Sequence, residues 1–485
     1  MYKALILYFA VTFCSVTLQA QIYFEDVFDS GESPNWTDGI WSNVVKTDEG
    51  YFASAFSINY SGSAPDSFYG KSAIYGIVMN EEGEKIKEFK YGDSIGEYSP
   101  LSAFYQSGRY IVFSRYVADR GKINAVVFSS TGELEDEYFF EDTIYSLATN
   151  YATKTLDGGY LVCAYGTSNS QPDNANPIVF RLDSMFNKVW SKRFGGQYND
   201  DFQSAIATPD KGFLLLGWTR SFGAGQRDFY LVKIDSLGNQ EWQKTYGSGI
   251  DEGGWGIIQL GDGNYCFSGG DSNSKGRLFK VTPDGTEVWS KSYQYSGASG
   301  GNSVFWSKTL TDGSIVGVGL TNNNDEGDAG YLQKTDSEGN LLWQQKYNYN
   351  ENTDLFYNLL PTADGGFLLG GFCSNPLSQY TSDAWLLKVD SLGCPYPNCT
   401  VGIEEENKTV AFNLWPNPAT EVINVEVFNA KETTVNIKDV LGKEVYHSVF
   451  TEAKIVVDVS HFKKGMYLVE VGMGNTSIIK KLIVQ

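Results

Sequence analysis

Histidine is almost missing from this chain. Its 485 residues include only two, His447 and His461, both near the C-terminus. Everything before them lacks the side chain that changes charge near neutral pH and that most often ligates zinc or iron. This removes histidine-based general-base catalysis, hydrolase triads and most such metal centres from the main body. Positive charge is also scarce: 37 Lys and Arg stand against 58 Asp and Glu, a formal net charge of −21. A surface of that sign repels phosphate backbones, so nucleic acid is not expected as a partner.

Long apolar runs are confined to the start. Residues 1–20 carry one basic residue, Lys3, then an apolar stretch Ala4–Val16 and a small residue at Ala20. They read as a secretory signal peptide removed before Gln21. No later run reaches the roughly 18 apolar residues of a membrane-spanning helix, so no transmembrane segment is expected. Cysteine is sparse, six in all. In an exported protein Cys394 and Cys399, which flank Pro-Tyr-Pro-Asn, are expected to close a small disulfide loop. Cys163, Cys266 and Cys373 fall on the second strands of three different repeats, too far apart to pair, and read as small buried hydrophobes.

Glycine and aromatic residues are abundant, with 52 Gly and 15% Phe, Trp and Tyr. That pairing suits an all-β chain with many tight turns. Asp201–Gly247 shows the unit: four strand-length apolar runs, each ended by a turn signal such as Pro-Asp-Lys-Gly or Ser-Leu-Gly-Asn. Second strands of such meanders begin near Tyr51, Tyr110, Tyr160, Phe213, Tyr265, Ile315 and Phe367. Their spacing, roughly fifty residues, is that of an array of four-stranded blades. Recurrent Asp-Gly or Ser-Gly turns supply the positive φ of tight hairpins. Trp190, Trp242, Trp289 and Trp343 recur on the fourth strands and are expected to pack blade against blade. The reading is a seven-bladed β-propeller over residues 21–400. Its last repeat lacks a fourth strand, whereas Ile22–Phe28 lacks a partner, so 22–28 is expected to close the last blade and remove an open edge.

Residues 401–411 form an acidic linker, and 412–485 change character to alternating Val/Ile strands, which predict a small β-sandwich. This tail holds Pro416, Asn417 and Pro418 at its start, then Asp439 and Gly442 in an Asp-x-x-Gly-Lys turn. Gly465 and Tyr467 precede its last hairpin. In that order these motifs resemble the type A C-terminal sorting domain of the bacterial type IX secretion system. The resemblance implies export across the outer membrane of a Bacteroidetes-type bacterium, with the secretion machinery as partner. It also implies removal of the tail, followed by release or attachment at the cell surface. The preceding repeats resemble loosely defined propeller repeats of many exported proteins, which implies architecture and not activity.

Chemistry is harder to find. Asp235, Asp336 and Asp390 sit in turns that offer oxygen ligands for calcium, but no twelve-residue loop of alternating acids accompanies them, and turn formation accounts for them. No cofactor is expected, calcium being the one alternative kept. Loop length is the clear asymmetry. Connections between second and third strands (Thr167–Asn176, Arg220–Arg227, Thr321–Asp328, Ser374–Ser382) are long and varied, as are those between blades. Both sets emerge on one face of a propeller, where binding residues usually sit. The expectation is an exported, monomeric, non-enzymatic propeller that binds a glycan or a surface protein there, with Tyr198, Phe222, Tyr295, Tyr349 and Tyr380 as contacts. Two alternatives stay open: a polysaccharide hydrolase or lyase using carboxylates of the central channel, and a structural adhesion component.

Overall fold

A computed structural model describes residues 22–484 except 29–35, 41–42, 60–70, 93–97, 117–121, 142–144, 169–170, 225, 274, 296–300, 324–326, 350–352, 375–381, 398, 400–411, 428–432, 440–442, 453 and 474–475. The signal peptide expected at 1–20 and the linker expected at 401–411 lie outside the described residues. The chain divides into two units, Met1–Ile403 and Glu404–Gln485.

The first unit is a seven-bladed β-propeller of antiparallel sheets. In blade 4 the strands Asp200–Ala207, Phe213–Thr219, Asp228–Ile234 and Gln240–Tyr246 hydrogen-bond in chain order. The same order recurs in blades 3, 5 and 6. Burial follows from position. The two middle strands of blade 4 are sandwiched between neighbouring blades and are buried at nearly every residue, whereas the outermost strand is largely half-exposed. Continuous apolar runs suit a sheet covered on both faces. Each large side chain so buried contributes roughly 1.5–3 kcal/mol.

Blade 7 has only three strands of its own, Leu355–Pro361, Phe367–Ser374 and Ser382–Val389; Phe24–Phe28 supplies the fourth. Val27 lies opposite Trp385 in that antiparallel pair. The Trp385 indole donates to Glu25 Oε1 at 3.0 Å, and the Tyr23 hydroxyl donates to Asp390 at 3.2 Å.

The repeated motifs are accounted for by contacts within and between blades. In blades 3 to 7 the aspartate of the first turn pairs with a cation from the third strand: Asp157 with Arg181, Asp210 with Lys233, Asp262 with Lys280, Asp312 with Lys334 and Asp364 with Lys388. Asp235, Asp336 and Asp390 each accept two backbone N–H bonds across the second turn. Their oxygens are engaged in making the turn, as the sequence suggested. Each fourth-strand Trp meets the next blade's turn. At Gly339 (φ +74°) an added Cβ would stand 2.9 Å from the Trp289 ring, and Tyr293 donates to the Gly339 carbonyl at 2.7 Å. Trp190, Trp242 and Trp343 meet Gly238, Gly285 and Gly393 in the same way. Blade 2 has no such Trp. There Tyr138 stacks at 4.6 Å on Phe186, a non-glycine at φ +64° in the corresponding turn.

The second unit is a seven-stranded β-sandwich. A three-stranded sheet (Phe412–Trp415, Val422–Val427, Lys454–Asp458) faces a four-stranded one (Glu444–Phe450, Thr433–Asp439, Gly465–Met473, Thr476–Val484). Its core includes Phe412, Ile423, Val425, Val435, Ile437, Val469 and Leu482.

Candidate functional site

The propeller axis carries a site that no motif announces. In blades 2 to 7 the innermost strand slips register once against its neighbour. The extra residues are Leu101, Asn150, Gln203, Trp255, Phe305 and Tyr357. A bulge leaves one residue outside the ladder and re-aims its side chain. Here all six point to the axis and line one cup of about 100 Å³. In blade 1 the innermost strand is interrupted between Trp36–Gly39 and Val45–Lys46, and Asn43 takes the corresponding place. Tyr151 and Trp306, the next residues along blades 3 and 6, meet across the axis at 5.1 Å and form the floor. The bulged residues precede this pair along their strands, so the cup lies on the long-loop side of the plug.

The wall has two halves. Blades 5 to 7 give an aromatic arc: Trp255 meets Phe305 edge-on at 5.6 Å, and Phe305 stacks on Tyr357 at 5.2 Å. Trp255 is 39% exposed, a high value for an indole inside a fold. Blades 3 and 4 give amides. Asn150 and Gln203 each donate to the Asp201 carboxylate at 2.6 Å, and Asn150 also donates to the Phe202 carbonyl at 3.0 Å. Burial pushes the Asp201 carboxyl up to about 8, against hydrogen bonds from Phe202 N–H, Asn150 and Gln203 that favour its charge. Neighbouring Asp200 has a different task. It accepts from the backbone of Gly196, Arg220 and Ser221 and so holds two long loops in place. The amides Asn43 and Asn358 bond backbone: Asn43 with Ala103, and Asn358 with Val44. Burial raises the Tyr357 phenol to about 12, and that of Tyr151 is raised too.

Four of the residues expected from sequence lie away from this cup. Tyr198 is 57% exposed, with its N–H held by Ser221 Oγ at 2.9 Å. Phe222 packs on Tyr230 at 5.6 Å. Tyr295 meets Tyr331 edge-on at 6.1 Å. Tyr349 is 41% exposed, with its ring 6.2 Å from Trp385. None of these four lines the cup, and Tyr380 lies outside the described residues. Cys394 and Cys399 are bridged, whereas Cys163, Cys266 and Cys373 are free and buried. No cluster of three or more metal-ligating side chains occurs among the described residues.

In the tail, the motif residues serve the sandwich. The Asn417 amide donates to the Lys481 carbonyl and accepts from Ile483 N–H, both at 2.8 Å, which ties the first segment to the last strand. Asp439 accepts from Lys443 N–H, and Tyr467 donates to the Lys463 carbonyl. Pro416 and Pro418 follow cis peptide bonds, Gly465 has φ +154°, and Gly442 lies outside the described residues. Residues 413–485 match the secretion system C-terminal sorting domain.

The sorting domain marks a protein exported by type IX secretion, to the cell surface or beyond, with the tail cleaved. One curated relative, an endo-acting ulvan lyase of Formosa agariphila, is 28% identical over 159 residues, 31% of this chain and 28% of that one. The chain thus matches less than a third of that relative's length. Among solved structures, the BP39L lectin of Burkholderia pseudomallei aligns with a TM-score of 0.46 at 9% identity, over 70% of this chain and 95% of that one. PorZ, a surface component of the type-IX secretion system of Porphyromonas gingivalis, aligns with a TM-score of 0.34 at 10% identity, over 92% and 70%. A Dyadobacter fermentans protein of unknown function aligns with a TM-score of 0.46 at 8% identity, over 77% and 100%.

Proposed function

We propose that this exported propeller is a carbohydrate-binding protein that seats a sugar ring in its axial cup. The arc Trp255–Phe305–Tyr357 opposite the amides of Asn150 and Gln203 carries the reading. A saccharide ring has an apolar C–H face and a rim of hydroxyls. It matches aromatic planes on one side and amide groups on the other. The exposed rings of Tyr198 and Tyr349 belong to the same reading as outer contacts of a longer chain, on the loop face.

Binding without turnover fits the cup better than catalysis. A hydrolase or lyase needs an acid and a base facing the substrate. Among the residues lining the cup the titratable groups are the phenols of Tyr151 and Tyr357, both held protonated, and Asp201 stands behind Asn150 and Gln203. The lyase relative is the observation that keeps the catalytic alternative in view.

Calorimetric titration of the full chain against a saccharide panel tests the reading. Binding is expected, lost in Trp255→Ala and weakened in Tyr198→Ala for longer chains only. Binding unchanged by Trp255→Ala would move the site off the axis, and polymer cleavage by the intact chain would replace binding with catalysis.

A further inference from the structure

We propose that the ring bound in the cup is uncharged and hydroxyl-rich, a neutral saccharide and not a sulfated or uronic-acid one; this rests on the carbohydrate reading above. None of the described residues lining the cup carries a cationic side chain. An anion brought in would lose water and gain no counter-charge, which is among the costliest arrangements a protein interior offers. Lys308 does not reverse this. It lies two residues beyond the Trp306 plug, toward the short-turn face, with its ammonium 5.9 Å from the Trp306 ring, and burial lowers its affinity for a proton.

At Asn150 hydrogen-bond direction points the same way. The Asn150 amide N–H groups are both engaged, one by Asp201 and one by the Phe202 carbonyl. What Asn150 has left for a ligand is its carbonyl oxygen, an acceptor. A sugar hydroxyl can donate to it; a sulfate or carboxylate oxygen cannot.

The test compares neutral oligosaccharides (gluco-, manno- and xylo-) with sulfated and uronic-acid ones, using the full chain, Trp255→Ala and Leu101→Arg. The expected result is binding of a neutral member only, weakened at least about tenfold in Trp255→Ala. Leu101→Arg, which places a guanidinium in the cup, should gain acidic ligands. Acidic ligands bound by the unaltered chain and lost in Trp255→Ala would overturn the neutral assignment and leave the carbohydrate site standing. A folded Leu101→Arg protein with an unchanged ligand profile would also count against it. No saccharide bound by the unaltered chain, or binding indifferent to Trp255→Ala, would remove the carbohydrate reading itself.

Discussion

Tyr151 and Trp306 stand on opposite blades and touch across the axis, with ring centroids 5.1 Å apart. This contact turns a through-channel into a cup with a floor. It also means that the ring of blades is braced at its centre, in addition to its rim.

Trp306→Ala removes half of the brace. Truncating a large aromatic usually costs about 3–5 kcal/mol when it is fully buried; Trp306 is half-buried, so about 2–3 kcal/mol is expected. Urea unfolding should show a lower midpoint, and saccharide binding should weaken because the cup loses its floor. An unchanged midpoint would mean that the plug bears no structural weight.

The closing strand gives a second prediction. Phe24–Phe28 completes blade 7, and Trp385, 1% exposed, depends on it for the Glu25 hydrogen bond. Deletion of residues 21–29 should lower the melting temperature sharply and expose the Ser382–Val389 edge to self-association. Calorimetry and light scattering report both effects; unchanged scattering and an unchanged melting temperature would contradict the closure.

Asp364 and Lys388 are 3% and 1% exposed at their side chains and pair at 2.9 Å. Removing one partner strands the other charge. Asp364→Ala should therefore cost about 3–5 kcal/mol, measured by denaturant unfolding. The double variant Asp364→Leu with Lys388→Met should recover much of that loss, because neither charge is then buried. A double variant no better than the single one would show that the pair is held for another reason.

Asp201 predicts a pH dependence of unusual sign. Burial raises its carboxyl from the ordinary 3.8 to about 8. Between those values the folded chain holds a proton that the unfolded chain releases. This contribution to stability is therefore full below about pH 4, falls as pH rises, and is gone above about pH 8. A paired carboxylate behaves in the opposite way. Asp201→Asn keeps an uncharged group of the same shape and should flatten this component. The measurement is the difference in unfolding free energy between variant and parent from pH 4 to 9; a constant difference would show that Asp201 is ionised throughout.

Much of the architecture was legible because it repeats. Period, turn residues and the recurring Trp each express a local rule: glycine where φ is positive, aspartate where a turn needs an acceptor, an indole where the next blade presents a turn without a side chain. Phe186 shows the limit of such reading. It departs from glycine because blade 2 offers Tyr138 and not Trp, a compensation visible only when the two blades lie side by side. The tail was legible for another reason, since Asn417, Asp439 and Tyr467 of its motifs are hydrogen-bonding partners within one small sandwich.

The cup was not legible. Leu101, Asn150, Gln203, Trp255, Phe305 and Tyr357 share no residue type, and a bulge adds a single residue to an otherwise regular strand. In the sequence this shows only as a one-residue slip in alternation, and the fully buried strands of a blade scarcely alternate. The varied loops drew attention because variation is visible along the chain, whereas convergence on an axis is not. The sequence by itself determined how many blades form and where each turn falls, because those follow from contacts between near neighbours in the chain. Only the tertiary structure decided which residues face one another across the centre, because that depends on closing the ring, and ring closure joins residues hundreds of positions apart.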